Sequence, residues 1–359
     1  MIHGVGQAVV LVGGEGTRLR PLTNRRPKPL LSVLGRPCVE YSLRSLSSAG
    51  ISRVFLACGY HSDAVLNALG DGSEMGLDMT YAFEEQPMGT AGAVKLLEKK
   101  LDRTFVVVMG DTLMDIDLEA VIRSHHENGA MVTIALTEVD RPTEFGIVGL
   151  DENDRIVRFK EKPQPNEVFS NLINAGVYVI EREAFSHVPD GTKFDFSKNL
   201  FPRLLEAGHP LYGSRLKGMW KDIGRPQDLL EANIRMAERR GVDMTIEGAD
   251  VRGKVVASEL RAKGATIRGP AFFGKGAVLG NGSWLIECAI GESTQVGERA
   301  HIERSLVLSK AFVGPGAKLE GCVVGDACVV GEGAVLSDCI LGDEVRVRPG
   351  EGLKGITLE

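Results

Sequence analysis

The sequence predicts an α/β protein: a Rossmann-like mixed, mostly parallel sheet with helices on both faces, followed by a parallel β-helix. Two observations predict it. Up to about Arg240, short β-branched runs alternate with helical patterns, which implies a sheet covered by helices. Beyond that point helical patterning stops, and aliphatic residues recur at a fixed step among glycines and small residues.

In the first part, VVLV (9–12), RVFLACG (53–59), TFVVVMGD (104–111) and MVTIALTEV (131–139) read as strands. PCVEYSLRSLSSAG (37–50), SDAVLNALGDG (62–72) and GTAGAVKLLEKKL (89–101) read as helices, the first ending at a glycine suited to a C-cap. A further helix is expected near QDLLEANIRMAERRG. In such a sheet, ligands belong at the carboxyl ends of the strands.

In the second part the recurring residues are Phe273, Leu279, Leu285, Ile290, Val296, Ile302, Val307, Val313, Leu319, Val324, Val330, Leu336, Leu341 and Val347. Their steps of six, six and five make a coil of seventeen residues, and glycine often follows them, as in IGESTQ and VGEGAV. This is a hexapeptide repeat, whose inward residues stack coil upon coil. The expected division is 1–240 and 241–359.

The chain has 359 residues, enough for two domains, with 43% hydrophobic and 25% charged residues. Forty-two basic and forty-eight acidic side chains give a formal charge of −6, which argues against a general nucleic-acid binder; any anion site should be local. No apolar run approaches a membrane span or signal-peptide core, so the expectation is a cytoplasmic protein with no membrane partner. Cys38, Cys58, Cys288, Cys322, Cys328 and Cys339 form no C-x-x-C pair, and buried free thiols are expected.

Gly13, Gly14 and Gly16 directly follow the first strand, where the backbone must turn and expose N–H groups. Arg18 and Arg20 follow, and Lys28 stands between Pro27 and Pro29. Bare amides beside cations suit phosphate. The segment fits neither G-x-x-x-x-G-K-[ST] nor G-x-G-x-x-G.

The full string GGEGTRLRPLT with PKPLL is more specific. With EEQPMGTAG (84–92), VVMGD (107–111), EFGIV (144–148), FKEKPQ (159–164), NAGVYV (174–179) and WKDIGRPQDL (220–229) in order, it resembles the sugar-1-phosphate nucleotidyltransferases. The nearest likeness is to mannose-1-phosphate guanylyltransferases that carry a C-terminal hexapeptide-repeat domain. The resemblance implies a nucleotidyltransferase catalytic domain over 1–240 and a left-handed β-helix over 241–359. It also implies a reaction that joins a hexose 1-phosphate to the α-phosphate of a nucleoside triphosphate and releases pyrophosphate, with Mg²⁺ as the cofactor.

By the same resemblance, Arg18, Lys28, Asp111 and Asp222 are the catalytic candidates, with Asp111 and Asp222 as the metal carboxylates. Arg18 is assigned to the β- and γ-phosphates, because a planar guanidinium bridges two oxygens, and Lys28 to the α-phosphate. The nucleotide candidates also include Leu11, Gly13, Gly14, Gly16, Thr17, Glu84, Pro87, Gly89, Thr90 and Asp111. Gly110, Gly146, Glu161, Lys162, Asn174 and Asp222 are the sugar-phosphate candidates. Lys162 is expected on the phosphate, and Glu161 and Asn174 on hydroxyls. Arg20, Arg25 and Arg26 are left as solvated or structural.

Glu84 stands where thymidylyl- and uridylyltransferases carry glutamine. A carboxylate accepts the two adjacent donors of guanine, N1–H and the 2-amino group, so GTP is favoured. A glucose-1-phosphate thymidylyl- or uridylyltransferase is the alternative. A non-catalytic regulatory subunit is the alternative of another class, but none of Arg18, Lys28, Asp111, Lys162 and Asp222 is missing. In the β-helix, the lone His301 reads as a surface residue rather than an acyltransfer base. Assembly into a homo-oligomer is the expected role of this domain, with Phe272, Trp284 and Phe312 as packing candidates.

Overall fold

A computed structural model describes residues 4–14, 16–59, 62–84 and 86–359. It forms two compact units: residues up to Gly14 with Cys38–Lys221, and residues 15–37 with Asp222–Glu359. The chain therefore crosses between units three times, whereas the sequence suggested a single linear division at residue 240.

In the first unit the strand Gln7–Val12 is buried along its whole length, as a parallel strand covered on both faces must be. It pairs in parallel with Arg53–Cys58 on one side and Thr104–Met109 on the other. Asp78–Phe83 extends this parallel half beyond Arg53–Cys58. Leu172–Glu181 then runs antiparallel to Thr104–Met109 and to Val132–Glu138. A hairpin of Gly146–Leu150 and Ile156–Glu161 closes one edge, and Leu211–Arg215 pairs in parallel with Val132–Glu138. The sheet is thus mixed, with its parallel half around the glycine-terminated first strand.

Helix Cys38–Ser48 buries Val39, Leu43 and Leu46, and Gly50 follows it at φ +77°. A left-handed residue there suits glycine as a helix stop. The helix expected over 89–101 is shorter: Gly89–Lys95 is α-helical and Glu98–Lys100 is a separate 3₁₀ turn. Helix Leu118–Glu127 starts at Asp117, whose carboxylate accepts the Ala120 N–H at 3.2 Å.

The second unit is a left-handed parallel β-helix with three strand faces. Successive coils are seventeen residues apart, as in Trp284–His301–Lys318–Val335 on one face and Gln295–Phe312–Val329–Arg346 on another. The residues of the six-residue pattern point inward: Phe273, Leu285, Ile290, Ile302, Val313 and Leu319 are all fully buried. Each such side chain contributes about 1.5–3 kcal/mol of transfer free energy.

The third face is also apolar on its outside, at Phe272, Ala289, Leu306 and Val323, all buried. Helix Pro226–Arg240 packs against these strands. The returning segment of residues 15–37 belongs to this unit as well, with Pro21 against Gly342 and Gly35 against Phe272. Phe272 is therefore internal packing, whereas Trp284 and Phe312 are exposed. Trp284 stacks on His301, which pairs with Glu303 at 3.2 Å. All six cysteines are buried, and none forms a disulfide among the described residues. Among the described residues no helix is long and apolar enough to cross a membrane.

Candidate active site

The predicted residues divide between the two units. In the second, Gly16 takes a left-handed conformation at φ +61°, and a side chain there would meet Lys28 Cβ at 3.1 Å. The turn Thr17–Leu19 follows, with the Thr23 hydroxyl donating to the Gly16 carbonyl at 2.9 Å. This folding leaves Thr17 and Arg18 exposed and Lys28 only 8% exposed.

Lys28 lies in the 3₁₀ turn Lys28–Leu30, which Pro27 and Pro29 stiffen, and its Nζ is 3.3 Å from Asp222 Oδ1. A side chain at Gly224 would meet Asp222 Oδ2 at 2.9 Å and Arg18 Nη2 at 3.4 Å. Arg18, Lys28 and Asp222 therefore form one charged patch, and the bare backbone of Gly224 permits it. Gly224 was not singled out from the sequence; the D-I-G string contained it.

In the first unit, Leu11 is buried in the first strand, and its carbonyl accepts the Gly110 N–H at 2.9 Å. Gly13 and Gly14 lie exposed just beyond, Gly14 at φ +109°. A side chain at Gly110 would meet Val12 Cγ1 at 2.7 Å. Close strand packing thus gives this sugar-phosphate candidate a structural reason to be glycine. The strand itself ends at Met109, leaving Asp111 half-buried in the turn after it.

Glu84 Oε2 accepts the Met88 N–H at 3.1 Å, closing the loop that carries exposed Pro87. Gly89 is left-handed at φ +73°, and a side chain there would meet the Phe194 carbonyl at 2.8 Å. Asp195 accepts the Thr90 N–H at 3.2 Å, and the Thr90 hydroxyl accepts the Phe196 N–H at 2.9 Å. The N–H groups of Ala91 and Gly92 both reach the Phe194 carbonyl at 2.9 Å. Gly89 and Thr90, two of the nucleotide candidates, thus also hold the 194–196 segment.

A polar cluster forms at the ends of three strands. Gly146 is opposite Glu161 in the hairpin, and a side chain there would meet Glu161 Oε2 at 2.7 Å. Burial pushes the Glu161 carboxyl up, while Lys162, Lys198 and a hydrogen bond with Ser197 pull it down. Lys162 is exposed and left-handed at φ +44°, with its N–H on the Phe145 carbonyl at 2.9 Å.

Asn174 donates to the hydroxyls of Tyr178 at 2.9 Å and Ser197 at 3.0 Å, and accepts the Gly176 N–H at 2.9 Å. These bonds pin a bulged stretch of strand, and Trp220 Nε1 caps the adjacent Ala175 carbonyl at 2.8 Å. Trp220 in turn packs edge-on against Phe145, with ring centroids 5.9 Å apart. Ser197 and Lys198 escaped the sequence reading because they lie in the π-turn Phe196–Leu200, which has no local signature.

Among the described residues no three His, Cys, Asp or Glu side chains converge as a metal cage. Mg²⁺ does not need one: it keeps waters and uses one or two carboxylates with substrate phosphates. Asp111, in the first unit, and Asp222, in the second, are each partly exposed oxygen donors of the kind Mg²⁺ takes.

Comparison with known proteins identifies the chemistry for which such a residue set is used. The nucleotidyl transferase family model matches residues 7–239, and the GMPPB C-terminal domain model matches 265–358. A mannose-1-phosphate guanylyltransferase of Mycobacterium tuberculosis is 36% identical over 301 residues, 83% of each chain. A UTP–glucose-1-phosphate uridylyltransferase of Synechocystis is 31% identical, over 84% of this chain and 82% of its own. A mannose-1-phosphate guanylyltransferase catalytic subunit beta of Drosophila melanogaster is 31% identical over 85% and 88%. Among solved structures, a Bacillus anthracis protein described as a glucose-1-phosphate thymidylyltransferase superposes with a TM-score of 0.59 at 25% identity, covering 67% of this chain and 98% of its own. The chain belongs to the nucleotidyl transferase family, with a C-terminal domain of the GMPPB type.

Proposed function

We propose that the protein is a mannose-1-phosphate guanylyltransferase, making GDP-mannose and pyrophosphate from GTP and mannose 1-phosphate. The assembled patch of Arg18, Lys28 and Asp222 carries this reading, because it supplies fixed charge without any Ser/His/Asp nucleophile. A sugar phosphate is already a nucleophile at neutral pH. Its oxygen forms a bond to the α-phosphorus of GTP, the bond to the bridging β-phosphate oxygen breaks, and pyrophosphate leaves with that electron pair. What the protein must supply is orientation and charge neutralisation, and orientation alone is worth roughly 7–11 kcal/mol in favourable cases.

In this reading Arg18 takes the β- and γ-phosphates, and Lys28, held by Asp222, neutralises the α-phosphate. Lys162 takes the sugar's phosphate, and Glu161 accepts from sugar hydroxyls. Asn174 acts through Tyr178, Ser197 and the 174–176 backbone it fixes. Mg²⁺ held by Asp111 and Asp222 would supply further charge neutralisation on the triphosphate. Glu84 reads guanine. The relatives named as mannose-1-phosphate guanylyltransferases at 36% and 31% identity support the substrate pair. The proposal includes a cytoplasmic location and a homo-oligomer formed through the β-helix.

The test is pyrophosphate release with Mg²⁺ across GTP, dTTP, UTP, ATP and CTP, each against mannose 1-phosphate and glucose 1-phosphate. Preference for GTP with mannose 1-phosphate is expected. Preference for dTTP or UTP with glucose 1-phosphate would overturn the substrate assignment and keep the mechanism; no release from any pair would overturn both.

A further inference from the structure

We propose that Arg26 is a positioning residue for catalysis, fastening the phosphate-binding segment to two stacked aspartates of the β-helix so that Arg18 and Lys28 are presented in register. The inference rests on the proposed nucleotidyl transfer, and it assigns the β-helix a part in that reaction beyond assembly.

Arg26 sits two residues before Lys28 and eight after Arg18. Its Nη1 is 2.5 Å from Asp326 Oδ2, and its Nη2 contacts Asp343 Oδ2. The two acids are seventeen residues apart, one coil of the helix. Each has its other oxygen on the backbone below or above: Asp326 Oδ1 accepts the Ser309 N–H at 2.8 Å, and Asp343 Oδ1 accepts the Asp326 N–H at 2.9 Å. The carboxylates are thus fixed by the coil before Arg26 arrives, and their like charges call for a cation. A guanidinium spans two acids where an ammonium serves as a point charge.

The contact is shielded: the Arg26 and Asp343 side chains are 20% and 7% exposed. By contrast, the neighbouring pair Arg25–Glu344 lies open to solvent on both sides, where an ion pair is worth little. The rest of the segment reinforces the same seat. Pro21 packs on Gly342, next to Asp343, and Leu34 donates its N–H to Asn233 at 2.9 Å. Between those anchors lie Lys28 and, just upstream, Arg18, each with a side chain that must meet phosphate oxygens within a few tenths of an ångström. Loosening Arg26 frees that stretch without removing any group that touches substrate.

The experiment compares Arg26→Gln, Arg26→Lys, the pair Asp326→Asn/Asp343→Asn, and all three Gln/Asn changes together, in the full-length protein. The readouts are kcat, KM for each substrate and Tm. Arg26→Gln is expected to raise KM for the nucleotide and lower kcat, with kcat/KM for nucleotide down about tenfold or more. KM for the sugar phosphate should be within twofold and Tm within a few degrees. Arg26→Lys should recover part of the loss. The Asn pair should reproduce it from the β-helix side, and the triple variant should be no worse than Arg26→Gln. Loss in proportion to Tm, equal rises in both KM values, or additive losses in the triple variant would overturn the inference while wild-type activity upholds the proposed reaction. Inactive wild-type protein overturns both.

Discussion

Replacing Glu84 by Gln tests how the base is chosen. Glu84 Oε2 accepts the Met88 N–H at 3.1 Å, and its own N–H reaches the Cys58 carbonyl at 3.2 Å. Glutamine keeps one carbonyl acceptor for Met88, so that bond should persist and the stability change should stay within about 0.5 kcal/mol. What changes is the rest of the head group. A carboxylate offers acceptors only, matching the N1–H and 2-amino donors of guanine, whereas the amide turns a donor toward one of them.

Hydrogen bonds to a charged acceptor are worth about 1.5–3 kcal/mol each, and every 1.4 kcal/mol is about tenfold. Since Oε2 is already engaged, the loss of one such bond is the appropriate measure. It predicts a fall in kcat/KM for GTP of about 10- to 150-fold, with that for dTTP or UTP unchanged or raised. The assay is pyrophosphate release under competing nucleotides, with Tm measured alongside. An unchanged GTP-to-dTTP ratio at unchanged Tm would refute the base-reading role of Glu84.

Three other outcomes are expected. Lys162→Gly should raise KM for the sugar phosphate at least tenfold while stability holds or rises by up to about 1 kcal/mol, because glycine adopts the φ +44° conformation without strain; an unaltered KM would remove Lys162 from the site. Burial holds the His125 imidazole below its usual range, against opposing help from Glu181. A folded value below the unfolded one means that stability is present above about pH 6.5 and is lost as pH falls below it, so Tm should drop between pH 7 and pH 5.5, and by less in His125→Gln. Burial pushes the Cys58 and Cys288 thiols up to about 12 and those of Cys322 and Cys328 up to about 11; a thiol reagent at pH 8 should therefore leave these four unreacted in native protein and label them on unfolding, and labelling of the native protein would contradict their burial.

The β-helix was legible in the sequence because one inward residue per face repeats at a fixed step, and the pattern from Phe273 to Val347 needs no tertiary information. The strand Gln7–Val12 was legible for a related reason, since an unbroken apolar run ending in glycine has few other uses. Residues 15–37 were not legible as part of the β-helix unit. Arg26 and its partners Asp326 and Asp343 are 300 and 317 positions apart, and a pairing over that distance leaves no local trace. Ser197 and Lys198 were hidden likewise, since their place beside Glu161 depends on the Thr90–Asp195 and Thr90–Phe196 bonds that fix the turn.

The same bonds separate two kinds of motif residue that look alike in a sequence. Gly110, Gly89, Thr90 and Asn174 all belong to strings that resemble the family, yet each has an internal reason for its identity: Val12, Phe194, Asp195, and the trio Gly176, Tyr178 and Ser197. Replacing these residues should damage the shape of the site before it damages any contact with substrate, so a simple loss of activity would not reveal a binding role. Arg18, Thr17 and Lys162 are different, because they are exposed charged or polar groups. Lys28 belongs with them despite its burial. Desolvating an ammonium is costly unless a partner compensates, and Asp222 at 3.3 Å is one such partner of this buried lysine.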